Sequence, residues 1–421
     1  MKLTKVKSVI DNGMKLIPAA FCLVAVGLLT GCGEQAKELP TVKLSIWADE
    51  RMIPLIQEGI DEFQELHKDE VILECTISEE GEDTCRDTIL SDPEHAADIF
   101  SFADDQFDDL YNNGILQEIS EDADAVVSES GGADSTVCKL VTKDGKLYAY
   151  PQTAGNGYYL YYNRRYYNDS DVASLDSILD IAAKNNKKFT MEYGNGWYLY
   201  SFFKGAGLEL SINDEGTANV CNWNAKDTRY TGVDVAQAML DIAKNPGFVT
   251  LTDDEFVKGV QDGEIIAGIN GPWNSSYIEE AWGEDYAATK LPAYTVSGDR
   301  VQMASFTGYK LMGVSAMSDN PDWSMKLARL LTSKEYQLKR FKLLGECPVN
   351  VEAAESEEVQ SDPAVAALGA QAPYASIQRI ASPYWDASAM FGVTIAGGNS
   401  GDRNLQELLD EMVEAITADA Q

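Results

Sequence analysis

The sequence predicts an α/β fold with a largely parallel sheet, divided among more than one domain. Three observations predict it. Short apolar runs of strand length alternate with stretches of helical periodicity. At 421 residues the chain has room for two or three domains. Hydrophobic residues make up 45% and charged residues 24%, an ordinary globular composition that excludes disorder of the whole chain.

The first segment reads as a leader. Lys2, Lys5, Lys7 and Lys15 make a basic start, and Leu16 to Leu29 is apolar and uncharged. That run is short for a membrane span and suits an export signal. It ends in Leu29-Thr30-Gly31-Cys32, which resembles the bacterial lipobox. Such a site is cut before the cysteine, whose thiol then carries diacylglycerol. A chance cysteine behind a signal peptide is the bland alternative. The expectation is a lipoprotein signal peptide over 1–31, lipidation at Cys32, a tether over 32–40, and a chain anchored on the outer face of the cell membrane.

The elements then follow in order. Val42 to Trp47 alternates as a strand, and Met52 to Leu66 places Ile53, Ile56, Ile60 and Phe63 at helical spacing. Val71 to Ile77 reads as a strand, Asp83 to Leu90 as a short helix, and Asp98 to Ser101 as a third strand. Gln106 to Asn112 is helical and stops at Gly114, a suitable C-terminal cap. Lys146 to Pro151 and Tyr158 to Asn163 are strands. Leu175–Lys184, Trp197–Ala206 and Val233–Lys244 are helices. Ile265 to Asn270 is a buried-strand run, followed by Gly271-Pro272 and a helix through Ala281. Tyr309 to Val314 is a strand, and helices follow at Asp322–Leu331, Ser333–Leu344, Pro363–Leu368, Ala387–Ile395 and Asn404–Thr417. The last carries Leu405, Leu408, Leu409, Met412 and Ile416 on one face.

Charge narrows the function. Lys and Arg number 33 against 68 Asp and Glu, a net charge of −35. A phosphate backbone would be repelled, so nucleic acid is excluded as a partner. The acidic stretches Asp104–Asp109 and Glu352–Glu358 read as solvated surface. Of seven cysteines, Cys75, Cys85, Cys138, Cys221 and Cys347 remain beyond the leader and Cys32. Their odd number and scattered spacing are no disulfide framework, and no CxxC supports a zinc site. Cys75 and Cys85 could pair; free thiols are the favoured reading. His67 and His95 sit at an exposed helix end and in a loop, neither flanked as a catalytic base or metal ligand. No GxSxG, HExxH or phosphate-cradling GxxxxGKS occurs. The chain reads as no enzyme, with no cofactor and no metal, although a glycosidase carboxylate pair stays open as an alternative.

The informative residues are aromatic. Gly194-Asn195-Gly196-Trp197-Tyr198 is a glycine loop opening a helix, and Gly271-Pro272-Trp273-Asn274 lies just past a strand end. Pro383-Tyr384-Trp385-Asp386 reads as a loop feeding the helix Ala387–Ile395. In open α/β sheets ligands bind beyond the carboxyl ends of strands. Sugar rings offer apolar faces that indole planes cover, and a rim of hydroxyls that carboxylates and amides bond. A single tryptophan is usually core. Three at three such junctions are harder to explain that way.

On these residues the chain resembles the maltose-binding-protein type of extracellular solute-binding protein (family 1), the receptor of an ABC sugar importer. The resemblance runs over 41–417. It is clearest in Lys43 to Trp47, Ala97 to Asp105, Gly145 to Pro151, Tyr161-Tyr162-Asn163, Ile269 to Trp273 and Tyr384-Trp385. It implies a two-lobed periplasmic-binding-protein-like fold of type II, with ligand in a cleft between lobes that close. Lobe 1 would hold 41–151 plus 303–356, and lobe 2 would hold 152–302 plus 357–421. It implies Trp385 as the principal stacking plane, Trp273 as a second wall, Phe102 as an aromatic contact and Asp105 as a hydroxyl acceptor. Asp49, Glu50 and Asn156 fall at polar contact regions, with Trp197 or Tyr198 standing in where the family pattern is displaced. The implied partners are a malto-oligosaccharide, membrane permease subunits and the lipid bilayer, with the receptor a monomer. A receptor for another oligosaccharide or small solute, or a surface glycan hydrolase, is the alternative.

Overall fold

The computed structural model describes residues 39–120, 122–213 and 217–418. The leader, the lipobox with Cys32 and most of the tether lie outside them. Four strands come first: β1 (Thr41–Ala48), β2 (Ile72–Glu79), β3 (Ile99–Ala103) and β4 (Tyr150–Ala154). Five follow: β5 (Tyr159–Asn163), β6 (Lys188–Thr190), β7 (Phe248–Val249), β8 (Ile265–Asn270) and β9 (Tyr286–Thr289). β10 (Tyr309–Val314) then rejoins the first group. They form two five-stranded sheets, ordered β2-β1-β3-β10-β4 and β7-β6-β8-β5-β9.

Each sheet is largely parallel, as expected, with one reversed strand. β10 runs antiparallel to β3 and β4, and β5 antiparallel to β8 and β9. Both are strands by which the chain enters a sheet after leaving the other one. The parallel strands end at the edge where the two sheets meet. A strand that starts from that edge must run the opposite way. The topology therefore collects the loops after β1, β3, β6 and β8 at one place.

Each sheet has its own core. Ile46, Phe100, Phe102 and Leu311 are wholly buried in the first. Tyr158, Phe203, Trp223 and Tyr294 are wholly buried in the second, where Trp223 stacks on Phe203 with centroids 4.2 Å apart. All six residues of β8 are buried, as a central strand covered on both faces requires. Ala154 closes β4 in the first sheet, while Met303 and Phe306 pack in the second core. The borders expected at 151/152 and 302/303 thus fall a few residues before these crossings.

Three local expectations change. The last-but-one helix spans Pro383–Ala396, so Pro383 to Asp386 is its first turn and no loop. Proline is compatible with that position because its missing N–H would have no helical partner there. His67 is not simply exposed: its ring lies 4.4 Å from Phe63 and 5.3 Å from Trp323. The stretch 104–109 is not uniformly solvated, since Asp104, Gln106 and Phe107 are buried. Cys75, Cys85, Cys138, Cys221 and Cys347 are all free thiols. Among the described residues no helix is long and apolar enough to cross a membrane.

Candidate functional site

A cavity of about 550 Å³ lies where the strand-end loops of the two lobes meet. That volume is in the range of small-ligand clefts. Asp49 after β1 and Asp105 after β3 line it from the first lobe. Trp197, Trp273 and Trp385 line it from the second.

Two of the tryptophans form one wall. Asn195 caps the helix Gly196–Gly205, its side chain accepting from the Trp197 N–H at 3.0 Å. That cap sets Trp197 in the first turn. The Tyr384 hydroxyl donates to the Gly196 carbonyl at 2.6 Å, joining this helix to Pro383–Ala396. Gly196 is required for the approach: a Cβ there would lie 2.2 Å from Ser388 Oγ. The close crossing holds Trp197 and Trp385 with centroids 6.5 Å apart and planes 33° apart. Phe306 backs both, at 5.3 and 6.3 Å. The rings are half-buried, so each keeps apolar surface toward the cavity.

Trp273 is held differently. Its Nε1 donates to Asp253 Oδ2 at 2.7 Å, and Asn270 Nδ2 donates to the other carboxylate oxygen at 2.7 Å. Its ring lies over Gly271, where a Cβ would be 2.0 Å from Cζ3. From the first lobe, Arg51 Nη1 donates to the Trp273 carbonyl at 3.3 Å, and Lys310 Nζ lies 5.6 Å from the ring centroid. Trp273 is therefore a fixed plane with one cation of the opposite lobe, Lys310, against its ring.

Beneath Lys310 is a buried ionic network. Lys310 Nζ bonds Glu82 at 2.5 Å and also Glu346. Arg340 bonds Glu82 at 2.7 Å, Glu346 at 2.5 Å and Gln152 Oε1 at 2.5 Å. Two acids and two bases share the pocket, so the cluster is balanced. Burial alone would raise Glu82, but Arg340 and Lys310 outweigh it and hold its carboxyl below the usual range. Asp49 is likewise engaged, bonded by Arg51 at 2.9 and 3.0 Å.

What the cavity leaves open is a small set of polar atoms. Asp105 Oδ1, Gln378 Oε1 and Trp197 Nε1 are buried and have no hydrogen-bond partner. All three residues line the cavity. Burial pushes the Asp105 carboxyl up to about 6, against the pull of the Arg86 guanidinium and the Gln378 amide. Buried polar groups are normally satisfied, so unsatisfied ones facing a cleft mark where ligand groups belong.

Of the residues singled out in the sequence, Asp49, Asp105, Asn156, Trp197, Tyr198, Trp273 and Trp385 line the cavity. Phe102 does not. It lies within β3, whose neighbours cover both faces, and it is wholly buried in the first core. In this segment the cleft begins at Ala103, the last residue of β3, and continues through Asp105 and Gln106 beyond it. Glu50 is exposed on the turn Glu50–Met52 and is absent from the lining; Asp49, one residue earlier, caps that turn. Gln378, Asp253 and Lys310 were not singled out in the sequence. Asp253 begins a helix behind Thr252, a cap signature that reads as purely structural. Gln378 carries no motif at all.

The lobes, the crossings and the shared cleft define a two-lobed binding protein. A family profile of bacterial extracellular solute-binding proteins matches residues 58–367, well over half of the chain, and the chain belongs to that family. It is 28% identical over 109 residues to the maltotriose-binding protein of Pyrococcus abyssi (strain GE5 / Orsay), a stretch covering 26% of this chain and 24% of that relative. The match thus spans about a quarter of the relative's length. A solved structure with acarbose is 28% identical, with a TM-score of 0.77, and covers 90% of this chain and 99% of that one. A maltodextrin-binding protein from L. casei BL23 without ligand is 24% identical, with a TM-score of 0.71, over 90% of this chain and 99% of that one.

Proposed function

We propose that the protein is the sugar receptor of an ABC importer and that it takes a malto-oligosaccharide into the cleft. The observation that carries this reading is the pairing of an indole wall with unpartnered polar atoms. Trp197 and Trp385 offer flat apolar planes for pyranose faces, and Asp105 Oδ1 and Gln378 Oε1 offer acceptors for the hydroxyl rim. The similarity to a structure holding acarbose and to a maltotriose-binding protein supports the same ligand class. The ligand touches both lobes and so stabilises their closed arrangement, which then engages the permease.

Titration calorimetry with maltotriose tests the reading, with solution scattering of the free and saturated protein beside it. Binding with a smaller radius in the complex is expected; no heat with any maltodextrin would overturn it. The pH dependence has a defined sign. A hydroxyl donates to the ionised Asp105, whose carboxyl titrates near 6 in the free protein. Affinity should hold above that pH and fall below it, by about tenfold at pH 5. Asp105→Asn should flatten the profile.

The proposed anchor is diacylglycerol on Cys32, on the basic start, the apolar run and Leu29-Thr30-Gly31-Cys32. Cys32→Ala should shift the protein out of the membrane fraction or leave an uncut precursor. A correctly cleaved variant still bound to membrane would sink the anchor, not the receptor.

A further inference from the structure

We propose that Gln378 reads the ligand jointly with Asp105, the two forming an acceptor pair for neighbouring hydroxyls of one sugar ring, and that it does so from the hinge between the lobes. The proposal rests on the sugar-receptor reading above. Gln378 is only 4% exposed, yet it lines the cavity and its Oε1 has no partner. Asp105 Oδ1 is in the same state. The Gln378 amide lies against the Asp105 carboxylate and helps to draw its proton affinity down, so the two acceptors occupy one corner of the cleft.

A buried acceptor without a donor costs free energy in the empty protein. Two of them side by side ask for two donors side by side. Adjacent ring hydroxyls supply that pair, and removal of either one leaves a single acceptor unsatisfied. Such a site discriminates against an analogue lacking the hydroxyl far better than an apolar wall does.

The position of Gln378 adds a second role. It follows the strand Ala375–Ile377, which pairs with the crossing strand Ser305–Thr307, and its N–H donates to the Thr307 carbonyl at 3.0 Å. The next residue, Arg379, bonds Asp108 of the first lobe at 2.8 Å. A ligand on Gln378 therefore touches the connecting segment itself, not only the two walls.

The test is calorimetric titration of the wild-type protein, Gln378→Ala and Asp105→Ala with maltotriose and its monodeoxy analogues. Two analogues deoxygenated at neighbouring carbons of one ring should each bind the wild type about tenfold more weakly than maltotriose. For one of them the penalty should vanish in Gln378→Ala, and for the other in Asp105→Ala, since each variant leaves no acceptor at its position. A merely structural Gln378 would weaken every ligand by one factor and leave the analogue ratios unchanged. That result, or penalties at no neighbouring pair, overturns the proposal while sugar binding stands. Absence of wild-type binding to maltotriose overturns the receptor reading itself. Should Gln378→Ala not fold, Gln378→Met keeps the volume and removes the acceptor, and the same ratios decide.

Discussion

Replacing Arg340 with methionine is expected to cost about 3–5 kcal/mol of folding stability, read from the denaturant midpoint. Arg340 is 4% exposed and bonds Glu82, Glu346 and Gln152 at once. Without it, two buried carboxylates face Lys310 alone, and one negative charge is left uncompensated out of water. Most of the expected cost is that orphaned charge rather than the worth of the native pairs. The sign with pH follows. In the native protein Glu82 is held below its ordinary value, so its contribution is present at neutral pH and is lost only as the pH falls through that lowered value. In Arg340→Met its carboxyl should rise instead. The variant should then bind a proton on folding, and its deficit relative to wild type should shrink toward pH 5. A deficit below about 1 kcal/mol at neutral pH would place the network with exposed ion pairs and sink this account.

Much of the fold was legible because it rests on period and punctuation. Leu175–Lys184 is found at both of its expected ends, and Ile265–Asn270 reads and folds as a covered strand. Such elements bury one face or both, and their apolar spacing records which. The misplaced start at Ala387 has a physical cause. Pro383 looks like a break, whereas at a helix start its fixed φ and absent N–H are harmless. Short elements left little trace. β6 is only three residues long, and the paired segments Ala293–Val296 and Asp299–Gln302 alternate too briefly to stand out.

The residues of the candidate cavity were legible wherever an aromatic residue sits beside a glycine or proline at a strand or helix end. Trp197, Trp273 and Trp385 are such cases, because the punctuation that frees the backbone also brings it to the cleft edge. Phe102 falls outside the cavity because one residue decides between core and cleft: Phe102 is sealed within β3, and Ala103, the next residue, already lines the cavity. Gln378 and the charge network were invisible for a different reason. Glu82, Lys310, Arg340 and Glu346 are separated by hundreds of positions in part, and only the return of β10 to the first sheet brings them together. No local pattern encodes a contact made by that crossing.

Trp385→Ala should weaken maltotriose binding at least about tenfold, equivalent to about 1.4 kcal/mol, and move the melting temperature little. The contrast with Trp223 makes this a sharp expectation. Trp223 is wholly buried and stacked on Phe203, so Trp223→Ala should cost about 3–5 kcal/mol in stability. Molecules of that variant that remain folded should bind sugar almost normally. Trp385 is half-buried, with Tyr384 at 5.0 Å on one side and the cavity on the other. Its truncation removes the outer part of the indole wall and leaves Tyr384 and Phe306 to hold the core. Trp385→Phe should recover part of the affinity, since a smaller ring still covers part of a pyranose face. Melting temperature and affinity measured on all three variants separate a wall from a core residue. If Trp385→Ala melts as early as Trp223→Ala while its affinity stays intact, Trp385 is core, and the ligand's stacking plane must be sought at Trp197 and Trp273.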